Sequence, residues 1–281
     1  MSASNPMRSQ AWLDAAQAAQ IAESSAAHWP PEARFAIYYA PPRESGWWQA
    51  GCAWLGRDAE SGAIHPPPRL GTLGREIADL TVAPRRYGWH GTLVAPFRLR
   101  DGVTSGGVLD AALAWARHQT PFLLPVEAAL LSQFVALRPA AASGDAALRA
   151  LAADALRTLD ALRARPPAAD IERRLAAPLT ERQRELLLAW GYPYVFDEFR
   201  FHMTLSDSLS ADDECDALIR HWHAEAARLG PLPVDGAALF VEPSPGAPFV
   251  LWRRLPFLAD AASAAGASNG AQAGDAARST R

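Results

Sequence analysis

Arg86-Tyr87-Gly88-Trp89-His90-Gly91-Thr92-Leu93 and Arg200-Phe201-His202-Met203-Thr204-Leu205 are two versions of one phrase. Each carries a His, one spacer, a Thr and a Leu. In an extended strand successive side chains point to opposite faces, so a His and a Thr two apart share a face. Leu93, Met203 and Leu205 then point the other way, into a core. Two such strands side by side place two imidazoles and two hydroxyls around one cleft, a set suited to acid–base chemistry on a phosphate. A lone His-x-Thr-Leu carries no weight, because a strand histidine is usually just a satisfied polar residue. Its recurrence, each time after an aromatic and an Arg and before a turn and a helix, argues for function.

Working outward, the motifs sit inside an internal repeat. Arg34–Ala40 reads as a strand, and Ser45–Gly56 as a helix with Trp47, Ala50 and Trp54 near helical spacing and Gly56 as its stop. After the first motif come a helix over Gly107–His118, a strand region over Pro121–Leu131 and a strand over Gln133–Pro139. The second half replays this order: a helix over Asp145–Arg163, an insert over Pro166–Phe196, the second motif, a helix over Ala211–Leu229, and strands over Pro231–Glu242 and Phe249–Leu255. Pro125-Val126-Glu127-Ala128 resembles Pro233-Val234-Asp235-Gly236, and these start 35 and 31 residues after their motif histidines. Such self-similarity implies two duplicated units.

The expected fold is therefore α+β, with two pseudo-symmetric lobes of antiparallel sheet, helices outside, and a central cleft receiving one motif strand from each lobe. The rival architecture is a single larger α/β sheet with the histidines scattered. Residues 1–32 read as an N-terminal extension with an Ala-rich segment of helical composition, and residues 33–258 as the bilobal domain. Residues 259–281, made of Ala, Ser, Gly, Asn and Asp, read as a disordered tail that buries too little apolar surface to offset ordering entropy.

With 49% hydrophobic and 20% charged residues over 281 positions, the chain has the composition of a globular protein with a sizeable core. Its basic residues are all Arg, and the formal net charge of −3 argues against an extended nucleic-acid surface. A small anionic ligand held by a few local Arg residues fits better. The two cysteines, Cys52 and Cys215, form no CxxC pair, and Cys52 lies in an apolar stretch as a small hydrophobe. No stretch reads as a membrane span or a secretory leader, so a cytoplasmic location without membrane partners is expected.

RYGWHGTLVAPFRL, FVALRP and LTERQRELLLAWGYPYVFDEFRFHMTL together are similar to the DUF1045-type proteins encoded with phosphonate-utilisation genes. The paired motif resembles the wider 2H phosphoesterase superfamily. That resemblance covers roughly Arg34–Phe257. It implies a bilobal α+β fold and metal-independent, cofactor-free chemistry on cyclic phosphodiesters, with His90, Thr92, His202 and Thr204 in the catalytic positions. Gly91 departs from the family, where Ala or a bulkier spacer is usual.

Imidazole titrates near neutrality, so one histidine serves as base and the other as acid. The threonine hydroxyls hydrogen-bond phosphoryl oxygens as charge builds up. Arg200, two before His202, shares its face and offers a bidentate phosphate contact, with Arg86 and Tyr87 as weaker substrate-binding candidates. His221 and His223 lie two apart on a helix and do not face each other, so no metal site is expected there. Trp190, Tyr192 and Tyr194 in the insert either pack or roof the cleft. The resulting expectation is a hydrolase opening a small cyclic phosphodiester, such as a ribose cyclic phosphate. Its rivals are an RNA 2′,3′-cyclic phosphodiesterase or 2′-5′ RNA ligase, and a non-catalytic phosphometabolite-binding protein.

Overall fold

The computed structural model describes residues 29–71 and 73–259. The expectations for most of the N-terminal extension and for the tail beyond Ala259 fall outside these residues. Nine strands form three antiparallel sheets among the described residues. In the first, β1 (Arg34–Tyr39) is central, flanked by β2 (Gly91–Phe97) and by β8 (Gly236–Glu242), with β9 (Val250–Pro256) outside β8. In the second, β5 (Phe134–Pro139) lies between β4 (Val126–Leu131) and β6 (Met203–Thr204). A short ladder joins β3 (Phe122–Leu124) to β7 (Leu232–Val234).

The mixed α+β architecture with antiparallel pairing is as expected, but the two sheets are not the two halves of the chain. The first sheet combines β1 and the first motif strand with the hairpin that ends the second half. The second combines the second motif strand with the hairpin β4–β5 of the first half. The halves thus exchange hairpins, and β3–β7 is the seam where corresponding segments meet.

The helices follow the sequence closely. Helix α1 (Gly46–Leu55) starts at Ser45, whose side chain accepts from the Trp48 N–H, and stops at Gly56 in the left-handed conformation (φ 73°). Short helices α2 (Ile77–Leu80) and α3 (Val82–Tyr87) lead into the first motif, α3 taking in its Arg86 and Tyr87. Helix α4 (Ser105–Arg117) packs on β9 and β8, and α5 (Ala142–Leu159) packs on β2. The insert holds α6 (Ala168–Leu175) and α7 (Glu181–Trp190), the latter begun by a Thr180–Gln183 capping box. Helix α8 (Asp212–Leu229) covers β4 and β5. Among the described residues no helix is long and apolar enough to cross a membrane. Cys52 and Cys215 are both free and buried.

One boundary shifts. Trp29, placed in the extension from sequence, is only 8% exposed and sits edge-on to Trp252 with ring centroids 5.9 Å apart. A large aromatic in this setting belongs to the core. Trp29→Ala should therefore cost about 3 kcal/mol, the scale for removing a buried Trp side chain. Chemical denaturation measures this, and an unchanged midpoint would show that Trp29 is not seated in the body.

Candidate active site

The first motif is delivered by α3. Asp207, just after the second motif, accepts the Val82 and Ala83 N–H groups through its two carboxylate oxygens at 2.8 and 2.9 Å. This carboxylate holds the first orphan donors of the helix. The exit from one motif thereby anchors the helix that leads into the other. Helix α3 ends at Gly88, whose φ of 81° lies in the region that L side chains avoid. The turn there sends Trp89 inward and leaves His90 half-buried. Trp89 is fully buried and stacks on Trp222 at 5.2 Å. Trp54 meets the same Trp222 ring edge-on at 5.3 Å and donates its Nε1–H to the Leu205 carbonyl at 2.7 Å. Trp89, Trp222 and Trp54 thus support both motifs from behind.

The alternation read from sequence holds in burial. Leu93, Met203 and Leu205 are buried, while His90, Thr92, His202 and Thr204 remain partly accessible. Each histidine lies just before its strand, and the second strand is only two residues long. A Cβ on Gly91 would lie 2.4 Å from two ring atoms of Phe201 and 3.4 Å from the Met203 Cγ. The Gly91 departure therefore has a cause: the motif strands approach so closely there that only hydrogen fits.

The imidazoles are held in matching ways. His90 Nδ1 bonds the Gly88 carbonyl at 2.8 Å, and His202 Nδ1 bonds the Arg200 carbonyl at 3.0 Å. A carbonyl only accepts, so in each neutral ring the proton sits on Nδ1 and Nε2 carries the lone pair. His90 Nε2 lies 3.4 Å from the Thr92 hydroxyl. The His90 ring stacks on Tyr38 at 4.0 Å, with Tyr87 at 5.9 Å. Burial drives the His90 pKa down to about 4; the Gly88 carbonyl opposes this and the nearby His202 adds to it. His90 is thus a neutral base at pH 7.

Three other candidates are engaged elsewhere. Arg200 donates from Nη1 to the Asp197 and Phe199 carbonyls at 3.2 and 3.1 Å and is exposed. Arg86 is ion-paired with Glu242 and donates to the Ala247 carbonyl at 3.3 Å. Tyr87 stacks on Phe249 at 5.1 Å, and its contact with the cleft is the His90 ring. Glu242 is fully buried; it also receives Arg34 and the Gly246 N–H. Burial pushes its carboxyl up, but the Arg34 hydrogen bond and charge, with Gly246 and Arg86, hold it below the usual range. Sequence reading missed Tyr38 and Glu242, since both act through contacts distant along the chain. His221 stacks on Trp54 at 5.2 Å, and His223 Nε2 bonds the Ala128 carbonyl at 3.0 Å, so each has a packing role. Trp190 packs on Phe196 at 4.8 Å and Tyr192 on Tyr194 at 5.6 Å.

The His90 environment has a pH signature. Its folded pKa lies below the unfolded value near 6.5, so between about 6.5 and 4 the unfolded chain binds more protons. Stability is fully present above that window and falls as pH drops through it. Between pH 7.5 and 4.5 the wild type should lose on the order of 2 kcal/mol more than His90→Gln, by denaturant titration at both pH values. An equal loss in both proteins would refute the depressed pKa.

Comparison with known proteins bears directly on the activity. The family model described as "Protein of unknown function (DUF1045)" matches residues 92–250. A protein of Laribacter hongkongensis (strain HLHK9) named ribose 1,5-bisphosphate phosphokinase PhnN is 44% identical over 225 residues, covering 78% of this chain and 51% of that protein. One of the same name from Janthinobacterium sp. (strain Marseille) is 38% identical over 235 residues, covering 80% and 51%. The chain spans about half the length of these curated relatives. Their names overturn the expected hydrolase opening a cyclic phosphodiester, and equally the RNA phosphodiesterase, RNA ligase and non-catalytic binder, because a phosphokinase is a transferase. The physical reason for the error is plain: imidazoles and hydroxyls around a phosphoryl centre do not reveal which oxygen attacks it. With more than half of its length matched by the family model, this chain belongs to the DUF1045 family.

Proposed function

We propose that this chain works on a small phosphorylated ribose, on the acceptor side of a phosphoryl transfer like that named for its relatives. The observation that carries the proposal is the pair of imidazoles, each fixed through Nδ1 to a carbonyl two residues back, with His90 Nε2 3.4 Å from the Thr92 hydroxyl. His90, neutral at pH 7, takes the proton from the acceptor oxygen as that oxygen forms its bond to the incoming phosphoryl group. The bond from phosphorus to the donor breaks, and a nucleoside triphosphate donor leaves as the diphosphate. His202, Thr92 and Thr204 hydrogen-bond the non-bridging oxygens and fix the acceptor in line. The sequence contains no Lys, so the Lys-bearing glycine-rich phosphate loop of nucleotide kinases is not among its residues. This favours the sugar-phosphate role over the nucleotide role.

In this reading the two larger sheets, each carrying one motif strand, are the lobes of a cleft resembling that of 2H phosphoesterases. The hairpin exchange and the β3–β7 seam support that arrangement. The likeness concerns architecture, and the relatives' names guide the choice of reaction.

The test pairs binding with turnover. Ribose 1,5-bisphosphate should bind the wild-type protein saturably, and ³¹P NMR should show phosphoryl transfer from ATP to it. His90→Ala should lower the transfer rate by about 10² to 10⁴ while leaving the fold intact. Replacing Thr204 by Val should weaken binding through loss of a charge-assisted hydrogen bond. No binding by the wild type, or unimpaired transfer by His90→Ala, would overturn the proposal.

A further inference from the structure

A cavity of about 280 Å³ lies where the far end of β2 meets the insert and the β8–β9 loop. Its wall holds six arginines, Arg34, Arg98, Arg163, Arg165, Arg173 and Arg174, against a single carboxylate, Asp170. The whole chain carries a formal charge of −3, so this concentration of positive charge is local. Part of it is neutralised: Arg34 pairs with Glu242, Arg163 with Asp160 at 3.2 Å and Arg173 with Asp170 at 2.7 Å. Arg98, Arg165 and Arg174 form no ion pair among the described residues. Arg165 donates to the Ala189 carbonyl, and Arg174 lies over the Tyr192 ring at 5.0 Å. Arg163 is only 8% exposed, and its buried Nε has no hydrogen-bond partner among the described residues. A buried N–H left without an acceptor is costly. Guanidinium groups clustered in this way match the geometry of phosphate oxygens.

The cavity shares strand β2 with the first motif. Ala95, Pro96 and Phe97 line it, and Ala95 is three residues beyond Thr92 on the same strand, about 10 Å at the strand's rise. Tyr192 lines it too, beneath the Arg174 guanidinium.

We propose that this arginine cavity binds the second phosphate of a bisphosphorylated pentose whose first phosphate lies at His90, Thr92, His202 and Thr204. The inference rests on the phosphosugar reading above and sharpens it: the site selects sugars with a phosphate at each end. The pentose bridges the stretch of β2 between Thr92 and Ala95. Selectivity arises because a monophosphate leaves either the arginines or the histidine cleft unfilled.

Isothermal titration of the full chain with ribose 1,5-bisphosphate, ribose 5-phosphate and inorganic phosphate tests this. Arg98→Gln and Arg165→Gln remove surface-side guanidiniums that hold no ion pair, so both should fold normally by circular dichroism. Each should weaken bisphosphate binding about tenfold, the scale of one charged hydrogen bond, and should shrink the preference for bisphosphate over monophosphate. Unchanged affinity and preference in both variants would overturn the cavity's role. His90→Ala separates the two readings: it should lower transfer by about 10² to 10⁴, yet in its background Arg98→Gln or Arg165→Gln should still weaken bisphosphate binding. Normal transfer by His90→Ala, with the preference intact, would sink the cleft chemistry and leave the cavity as a phosphate site.

Discussion

The two motif strands lie in different sheets, so no ladder of backbone hydrogen bonds fixes one relative to the other. That relation rests on packing at Gly91. The Phe201 ring occupies the space a side chain there would need, so the backbone of the first motif rests directly on an aromatic of the second. Interiors pack densely and resist gradual deformation, so a contact with no slack sets the separation sharply. Behind it, Trp222 stacks on Trp89 while Trp54 holds the Leu205 carbonyl. From the side, Asp207 caps the helix that leads to His90. Three devices thus tie the motifs together.

The same packing sets the electrostatics. An imidazole stacked on Tyr38, with Tyr87 nearby, loses solvent, and its charged form loses most. His90 is thereby kept neutral, with the Gly88 carbonyl fixing which nitrogen bears the proton. Base strength, tautomer and direction of the lone pair all follow from one turn, at a glycine with positive φ, between α3 and β2.

Much of this was legible in the sequence because it is periodic or local. The period of two in His-x-Thr-Leu separated cleft residues from core residues in both motifs. The stop signal at Gly56 marked a true helix boundary. What sequence could not show was non-local. Whether each half keeps or exchanges its hairpin depends on pairings such as Tyr38 with Ala238, two hundred residues apart. Arg86 and Arg200 shared the cleft's neighbourhood in sequence, yet their guanidiniums are taken by Glu242 and by backbone carbonyls. The arginines of the second cavity come from four separate segments. The identity of the attacking oxygen was beyond residue pattern altogether, and the names of the relatives speak for transfer rather than hydrolysis.

The central claim is that His90 presents a lone pair on Nε2 at neutral pH. Long-range ¹H–¹⁵N correlation spectra of the histidine rings report protonation and tautomer directly. At pH 6, below the ordinary histidine pKa, the account predicts that His90 remains neutral with its proton on Nδ1. A doubly protonated His90 ring at that pH, or a neutral ring with its proton on Nε2, would contradict it.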